Sequence, residues 1–186
     1  KALHAVSTAW QKMLFEHGLQ IAHDDKFKAS LRFGLTLDDS FDRNIDNYKW
    51  VIDKIADSGA NWVRLVFRSN PQDFVYADER SFTLYDAIVS ELKAKNIYVM
   101  GSVLDTAQWP KELTPPLYAL RTKNLVLRYG GKIRSWEVGH EINGDWLGGP
   151  RTPLGLKKTL KIYSAAAAQV KSIEPTLETV ATLYWW

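Results

Sequence analysis

Cysteine is absent from the 186 residues, which excludes a disulfide framework and any thiolate-bound metal. That absence leaves the redox compartment open. No run of about 18 apolar residues occurs, so no segment reads as a membrane span. Histidine is scarce and scattered: His4, His17 and His23 stand near the start and His140 far from them. No HExxH or other metal-ligand spacing joins them, and no metal site is expected. A basic stripe is also missing. The formal net charge is +3, with Lys and Arg interspersed among Asp and Glu, so a nucleic-acid partner is not expected. No signal-peptide pattern is visible, although the first residue is Lys1 rather than Met, which is compatible with a removed leader.

What is present is ample core material. Hydrophobic residues make up 46% of the chain, enough for one domain with a sizeable interior. Eight Trp and eight Tyr suit either that interior or a surface on which flat ligands stack. Residues 1–30 read as an N-terminal helix, with Leu3, Val6, Trp10, Met13, Leu14 and Ile21 at helical spacing and Gly18 as an interruption.

Residues 31–186 alternate strand and helix patterns. Strands are expected at Leu31–Leu37, Asn61–Phe67, Ile97–Leu104, Ile133–Gly139 and Leu177–Tyr184. Between them, helices are expected at Asn44–Ser58, Thr83–Lys95, Leu117–Tyr129 and Leu156–Ile173, the first closed by Gly59 and the third by Gly130. Pro115-Pro116 and Gly148-Gly149-Pro150 read as loop markers, and the Ala165–Ala168 run as a helix face that packs closely.

Alternation of this kind implies parallel strands joined by right-handed crossovers. Two α/β architectures fit: an open five-stranded doubly wound sheet, or the first five β/α units (strands 1–5) of an incomplete (β/α)8 TIM barrel. The barrel is favoured on two grounds. The loop after the first strand, Asp38-Asp39-Ser40-Phe41, lacks the glycine-rich phosphate cradle of nucleotide-binding doubly wound folds. Trp185-Trp186 also follow the fifth strand directly, where an open sheet would carry a covering helix.

The strongest chemical signal is Ser135-Trp136-Glu137-Val138-Gly139-His140-Glu141-Ile142-Asn143-Gly144, a strand ending in carboxylates at the edge where barrels hold their catalytic groups. Strand alternation predicts Glu137, Gly139 and Glu141 on one side. Trp62, Arg64 and Val66 share a side of the second strand, and a buried Arg64 would need a carboxylate such as Glu137 or Glu141. Other candidates at the same edge are Asp38 and Asp39, Asp105 and Trp109, Asn143 and Trp146, and Tyr184 to Trp186. Each of these has a plainer reading as a packing or capping residue, Asp39 or Ser40 as the start of the first helix among them.

At Trp136-Glu137-Val138-Gly139-His140-Glu141 the chain resembles the clan A retaining glycoside hydrolases, whose fourth strand often ends in Trp-Glu-Val-Gly-Asn-Glu. Trp62-Val63-Arg64-Leu65 is similar to their second strand. The resemblance implies Glu141 as general acid/base and Arg64 as a support beneath the site. It implies a nucleophilic Glu at the end of a seventh strand, which these 186 residues do not include. His140 stands where the clan has a sugar-binding Asn, a departure that changes shape and charge.

The expected activity is therefore retaining hydrolysis of an O-glycosidic bond in an oligo- or polysaccharide, without a cofactor. Catalysis falls to Glu141, with substrate contact expected at Arg64, His140, Asn143, Trp109, Trp146, Asp38 and Tyr184. The chain alone is expected to be inactive and to need the remainder of the barrel, from the same or another chain. A secreted or periplasmic location is favoured because polysaccharides lie outside the cell. Two alternatives remain at this point: a catalytically inactive barrel remnant that binds carbohydrate or a protein partner, and a self-contained open α/β domain binding a small molecule.

Overall fold

The computed structural model describes residues 32–37, 45–105, 108, 110, 112–144 and 155–184. The expected N-terminal helix and the Gly148-Gly149-Pro150 loop lie outside them. Among the described residues, five strands form one sheet: β1 (Gly34–Leu37), β2 (Trp62–Val66), β3 (Tyr98–Ser102), β4 (Ser135–Gly139) and β5 (Glu178–Ala181). The helices are α1 (Ile45–Asp57), α2 (Thr83–Ala94), α3 (Pro115–Tyr129) and α4 (Gly155–Ile173).

Every neighbouring pair is parallel and the spatial order is β1-β2-β3-β4-β5. A doubly wound sheet reverses its strand order at a switch point. No reversal occurs here, so the open-sheet alternative is set aside. One ion pair gives the curvature. The Arg32 guanidinium, just before β1, donates to both carboxylate oxygens of Glu178 at the start of β5, at 3.0 and 3.2 Å. In a flat sheet those strands would stand about 19 Å apart, four spacings of about 4.8 Å. Arg and Glu side chains cannot bridge that gap, so the sheet is curled as in a barrel wall. The fold is five units of a (β/α) barrel, not yet closed.

The two faces of the wall differ in burial. Val63, Leu65 and Val99 face the helices and are buried, whereas Trp62, Arg64 and Met100 on the inner side are half-buried and Tyr98 is exposed. In a closed barrel the inner side is filled by layers of side chains from all strands. The helical layer follows from periodicity. Tyr48, Ile52 and Ile55 form the buried stripe of α1, and Thr159, Ile162, Tyr163, Ala166 and Val170 that of α4. Ala166, within the Ala165–Ala168 run, lies fully buried in that stripe.

Strand ends are shorter than the sequence pattern predicts. The expected Leu31–Leu37 is a strand over Gly34–Leu37, with Leu31 outside the described residues, and Leu177–Tyr184 is a strand over Glu178–Ala181 that Thr182 extends by main-chain bonds to Gly139 and Ile142. Pro115-Pro116 is also corrected: it opens α3 rather than marking a loop. Proline has no N–H to lose in the first turn and its φ is already helical. Thr114 caps this end, its hydroxyl accepting from Leu117 N at 3.3 Å.

The loop after β2 is held by a residue with no sequence signature. Arg121 of α3 is fully buried and donates to the carbonyls of Val103 (2.8 Å), Phe74 (2.6 Å), Phe67 (2.6 Å) and Arg68 (3.1 Å). The Phe74 and Tyr76 rings each lie 4.8 Å from its guanidinium carbon. It thereby satisfies carbonyls that leave the sheet at the carboxyl edge, where an unpaired one would be costly.

Candidate active site

At the carboxyl edge of β4 the sequence runs Glu137 to Glu141 through a local irregularity. Glu137 pairs with Val180 and Gly139 with Ala181, so the register with β5 shifts between them. The extra residue corrects the alternation predicted for Glu137, Gly139 and Glu141. Glu137 points to the inner side, but a Cβ on Gly139 would meet Ile142 at 2.8 Å and Tyr163 of α4 at 3.0 Å. Gly139 therefore faces the helical layer, as a bulge re-aims the residues that follow it.

Glu137 is 1% exposed. Its Oε2 accepts from Arg64 Nε at 2.8 Å, and Arg64 Nη2 lies 2.5 Å from the same oxygen. Arg64 Nη2 also donates to Ser102 Oγ at 3.1 Å. The other oxygen, Oε1, accepts from the Thr182 hydroxyl at 3.0 Å. The buried charge is thus paired and bonded on both oxygens, the condition under which such a pair persists. Of the two carboxylates suggested for Arg64, Glu137 is the partner.

Glu141 lies two residues beyond β4 with φ of 49°, a left-handed conformation unusual for a residue with a side chain. Three main-chain hydrogen bonds hold the turn. Glu141 N donates to Thr182 Oγ1 at 3.1 Å, Ile142 N to Thr182 O at 3.1 Å, and Gly144 N to Glu141 O at 2.9 Å. The Glu141 side chain is 30% exposed, between the fully solvated reading and a buried one.

His140 stands between two carboxylates, with Nδ1 3.7 Å from Asp105 and Nε2 3.8 Å from Glu141 Oε1. Both separations exceed hydrogen-bond length, so in these two pairs the side chains are neighbours rather than bonded partners. The Tyr163 hydroxyl reaches the His140 carbonyl at 3.4 Å, and Tyr118 donates to the Val138 carbonyl at 3.0 Å. These two buried tyrosines tie the end of β4 to α3 and α4. Burial raises both hydroxyl pKa values, keeping them protonated donors.

Asn143 is placed differently from what its candidacy for sugar contact suggests. Its amide nitrogen donates to Tyr184 O at 2.8 Å and its amide oxygen accepts from Tyr184 N at 2.5 Å. The side chain thus imitates a strand partner and prolongs the pairing between the ends of β4 and β5. Glu141, His140, Arg64, Asn143 and Tyr184 are brought to one edge of the wall, whereas Asp38, Trp109 and Trp146 lie outside the described residues.

Thr182, Ser102 and Asp105 complete this edge. Asp105 is a candidate by its place after β3, whereas Ser102 and Thr182 belong to no motif. Their positions follow only from the parallel register that sets β3 and β5 on either side of β4. Among the described residues, no group of three His, Cys, Asp or Glu side chains is arranged to hold a metal. A cavity of about 420 Å³ is lined by Arg68, Asn70, Tyr76, Arg80, Ser81 and Leu84 among others, and none of the site residues borders it.

No family model matches the chain, and no match is found among curated proteins. Solved structures do resemble it. The β-glucosidase of Thermotoga maritima, in complex with deoxynojirimycin, has a TM-score of 0.62 at 14% identity over 75% of this chain and 38% of its own. The virulence factor SghA from Agrobacterium tumefaciens gives a TM-score of 0.59 at 14% identity, over 75% and 36%. Aphid myrosinase gives 0.55 at 14% identity, over 75% and 36%. At such identity the likeness is one of fold, that of glycosidase barrels, and this chain spans well under half the length of each.

Proposed function

We propose that these residues form the first five β/α units of a retaining glycoside hydrolase, with Glu141 as general acid/base. The observation that carries the reading is the placement of Glu141 at the carboxyl edge of β4, beside His140, with the buried Arg64–Glu137 pair at the same edge. Barrel enzymes collect their reacting groups at this edge. A carboxyl group partly sheltered from water suits proton transfer to a leaving oxygen.

Retaining hydrolysis needs a second carboxylate about 5–5.5 Å from the first. In the proposed reaction Glu141 protonates the glycosidic oxygen while the second carboxylate attacks the anomeric carbon. A covalent glycosyl-enzyme forms and the aglycone leaves. Glu141, now ionised, takes a proton from water, which attacks the same carbon and releases the sugar. By the resemblance of the β4 motif, the nucleophile belongs to a seventh strand beyond these 186 residues. Arg64 supports the floor of the site. His140, Tyr184, Asp38, Trp109 and Trp146 are proposed to contact an oligo- or polysaccharide, the carboxylate toward hydroxyls and aromatic rings toward C–H faces, while Asn143 serves the site by fixing the Tyr184 main chain through its amide.

A second reading is a barrel that binds carbohydrate without cleaving it. Two observations favour it: His140 replaces the Asn of the resembled motif, and Arg64 spends Nε and Nη2 on Glu137 and Ser102. Glu141→Gln in the full-length protein separates the two. On the enzyme reading, turnover of aryl glycosides falls by about 10²-fold or more. Unchanged turnover in the variant removes Glu141 from the reaction. Saccharide binding without any turnover by the wild type establishes the second reading.

A further inference from the structure

We propose that Thr182 is the positioning residue for Glu141, coupling its backbone to the buried Arg64–Glu137 pair through one hydroxyl group. The inference rests on the reading of Glu141 as acid/base. Thr182 is the first residue after β5, and its hydroxyl donates to Glu137 Oε1 at 3.0 Å while accepting the Glu141 N–H at 3.1 Å. A hydroxyl has a single proton. An ionised Glu137 only accepts, so that proton is committed to it, and the oxygen lone pairs are left for Glu141.

The main chain of Thr182 acts on the same segment. Its N–H donates to Gly139 O at 2.8 Å and its carbonyl accepts from Ile142 N at 3.1 Å. Three of its four bonds therefore close on residues 139–142, the segment that carries His140 and Glu141. The left-handed φ of 49° at Glu141 is a conformation that persists only where surrounding contacts over-determine it. Thr182 supplies two of the three main-chain bonds that do so. Anchoring comes from the core: Glu137 is 1% exposed and is itself held by Arg64. The backbone that carries the Glu141 carboxyl is thus referenced to the barrel floor.

The functional consequence is placement of the acid. A displacement of about 1 Å can cost about 10²-fold in rate. Thr182→Val keeps the branched shape and the main-chain bonds but removes the hydroxyl, and Thr182→Ser keeps the hydroxyl. Both variants of the full-length protein are assayed for kcat/KM on aryl glycosides with poor and with activated leaving groups. The expected result for Thr182→Val is a fall of about 10- to 100-fold on the poor leaving group, with a much smaller fall on dinitrophenyl glycosides, which leave without protonation. Thr182→Ser stays within about threefold of wild type. An equal fall on both substrates in Thr182→Val, or no fall, overturns the proposal while leaving Glu141 in place. Wild-type protein with no turnover on either substrate overturns the acid/base reading itself, and this inference with it.

Discussion

Replacing Arg64 by Met tests whether the pair at the site floor is held as the structure describes. The change removes the donors from Glu137 Oε2, at 2.8 Å from Nε and 2.5 Å from Nη2, and the one to Ser102 at 3.1 Å. Among the described residues, Glu137 then keeps only the Thr182 hydroxyl on Oε1. A buried carboxylate stripped of its cation costs about 3–5 kcal/mol. The Arg64 side chain is 15% exposed, so some water reaches the gap, and the retained Thr182 bond lowers the loss further. The lower end, about 3 kcal/mol, is expected. The double change Arg64→Met with Glu137→Leu replaces both charges by apolar groups and should recover most of this loss, since buried pairs often contribute little net stability over a hydrophobic substitute. Urea unfolding of the full-length variants reads both values as midpoint shifts at constant slope. A single-variant cost below about 1 kcal/mol, or a double variant no more stable than the single, would refute the account of Glu137 as a buried, charge-paired group.

Two further outcomes test the scaffold. A Cβ at Gly101 would lie 2.8 Å from the ring of fully buried Trp136 and 3.2 Å from Phe67, so Gly101→Ala should cost about 1–3 kcal/mol by overpacking. A melting temperature equal to wild type would contradict the packing between β3 and β4. Asp73 gives a pH dependence: desolvation pushes its carboxyl up, but donors Ser81 Oγ (2.6 Å), Ala77 N and Asp78 N outweigh this and leave it below the ordinary Asp value. Its stabilisation is full above the unfolded pKa of about 3.9 and is lost as pH falls through the lower folded value. Urea midpoints measured on acidification should therefore drop less steeply in Asp73→Asn than in wild type, and parallel curves would show that the loop cap has no such role.

Much of the barrel was legible in the sequence because its signals are local. Buried stripes such as Tyr48, Ile52 and Ile55 recur at helical spacing, and Gly59 with φ of 78° ends α1 as its position suggests. The need of Arg64 for a carboxylate was also readable, since a guanidinium facing a barrel interior requires one. The ends of elements were less so. Pro115-Pro116 carries the same residues whether it opens a helix or marks a loop, and the Thr114 cap decides between them.

What the tertiary structure alone decided are facts that depend on residues far apart in the chain. Strand order and curl came from the uninterrupted β1-to-β5 pairing and from Arg32 reaching Glu178 across 146 positions. The choice of Glu137 over Glu141 as the partner of Arg64 came from the register of β2, β3 and β4, and from the shift after Glu137 that turns Gly139 toward α4. Asn143 looked free for a ligand until Tyr184 occupied its amide. Thr182 had no motif, because what distinguishes it is the two groups on either side of its hydroxyl. Local periodicity is written in neighbouring residues, whereas a hydrogen-bond network through the barrel wall exists only once packing brings its members within about 3 Å of one another.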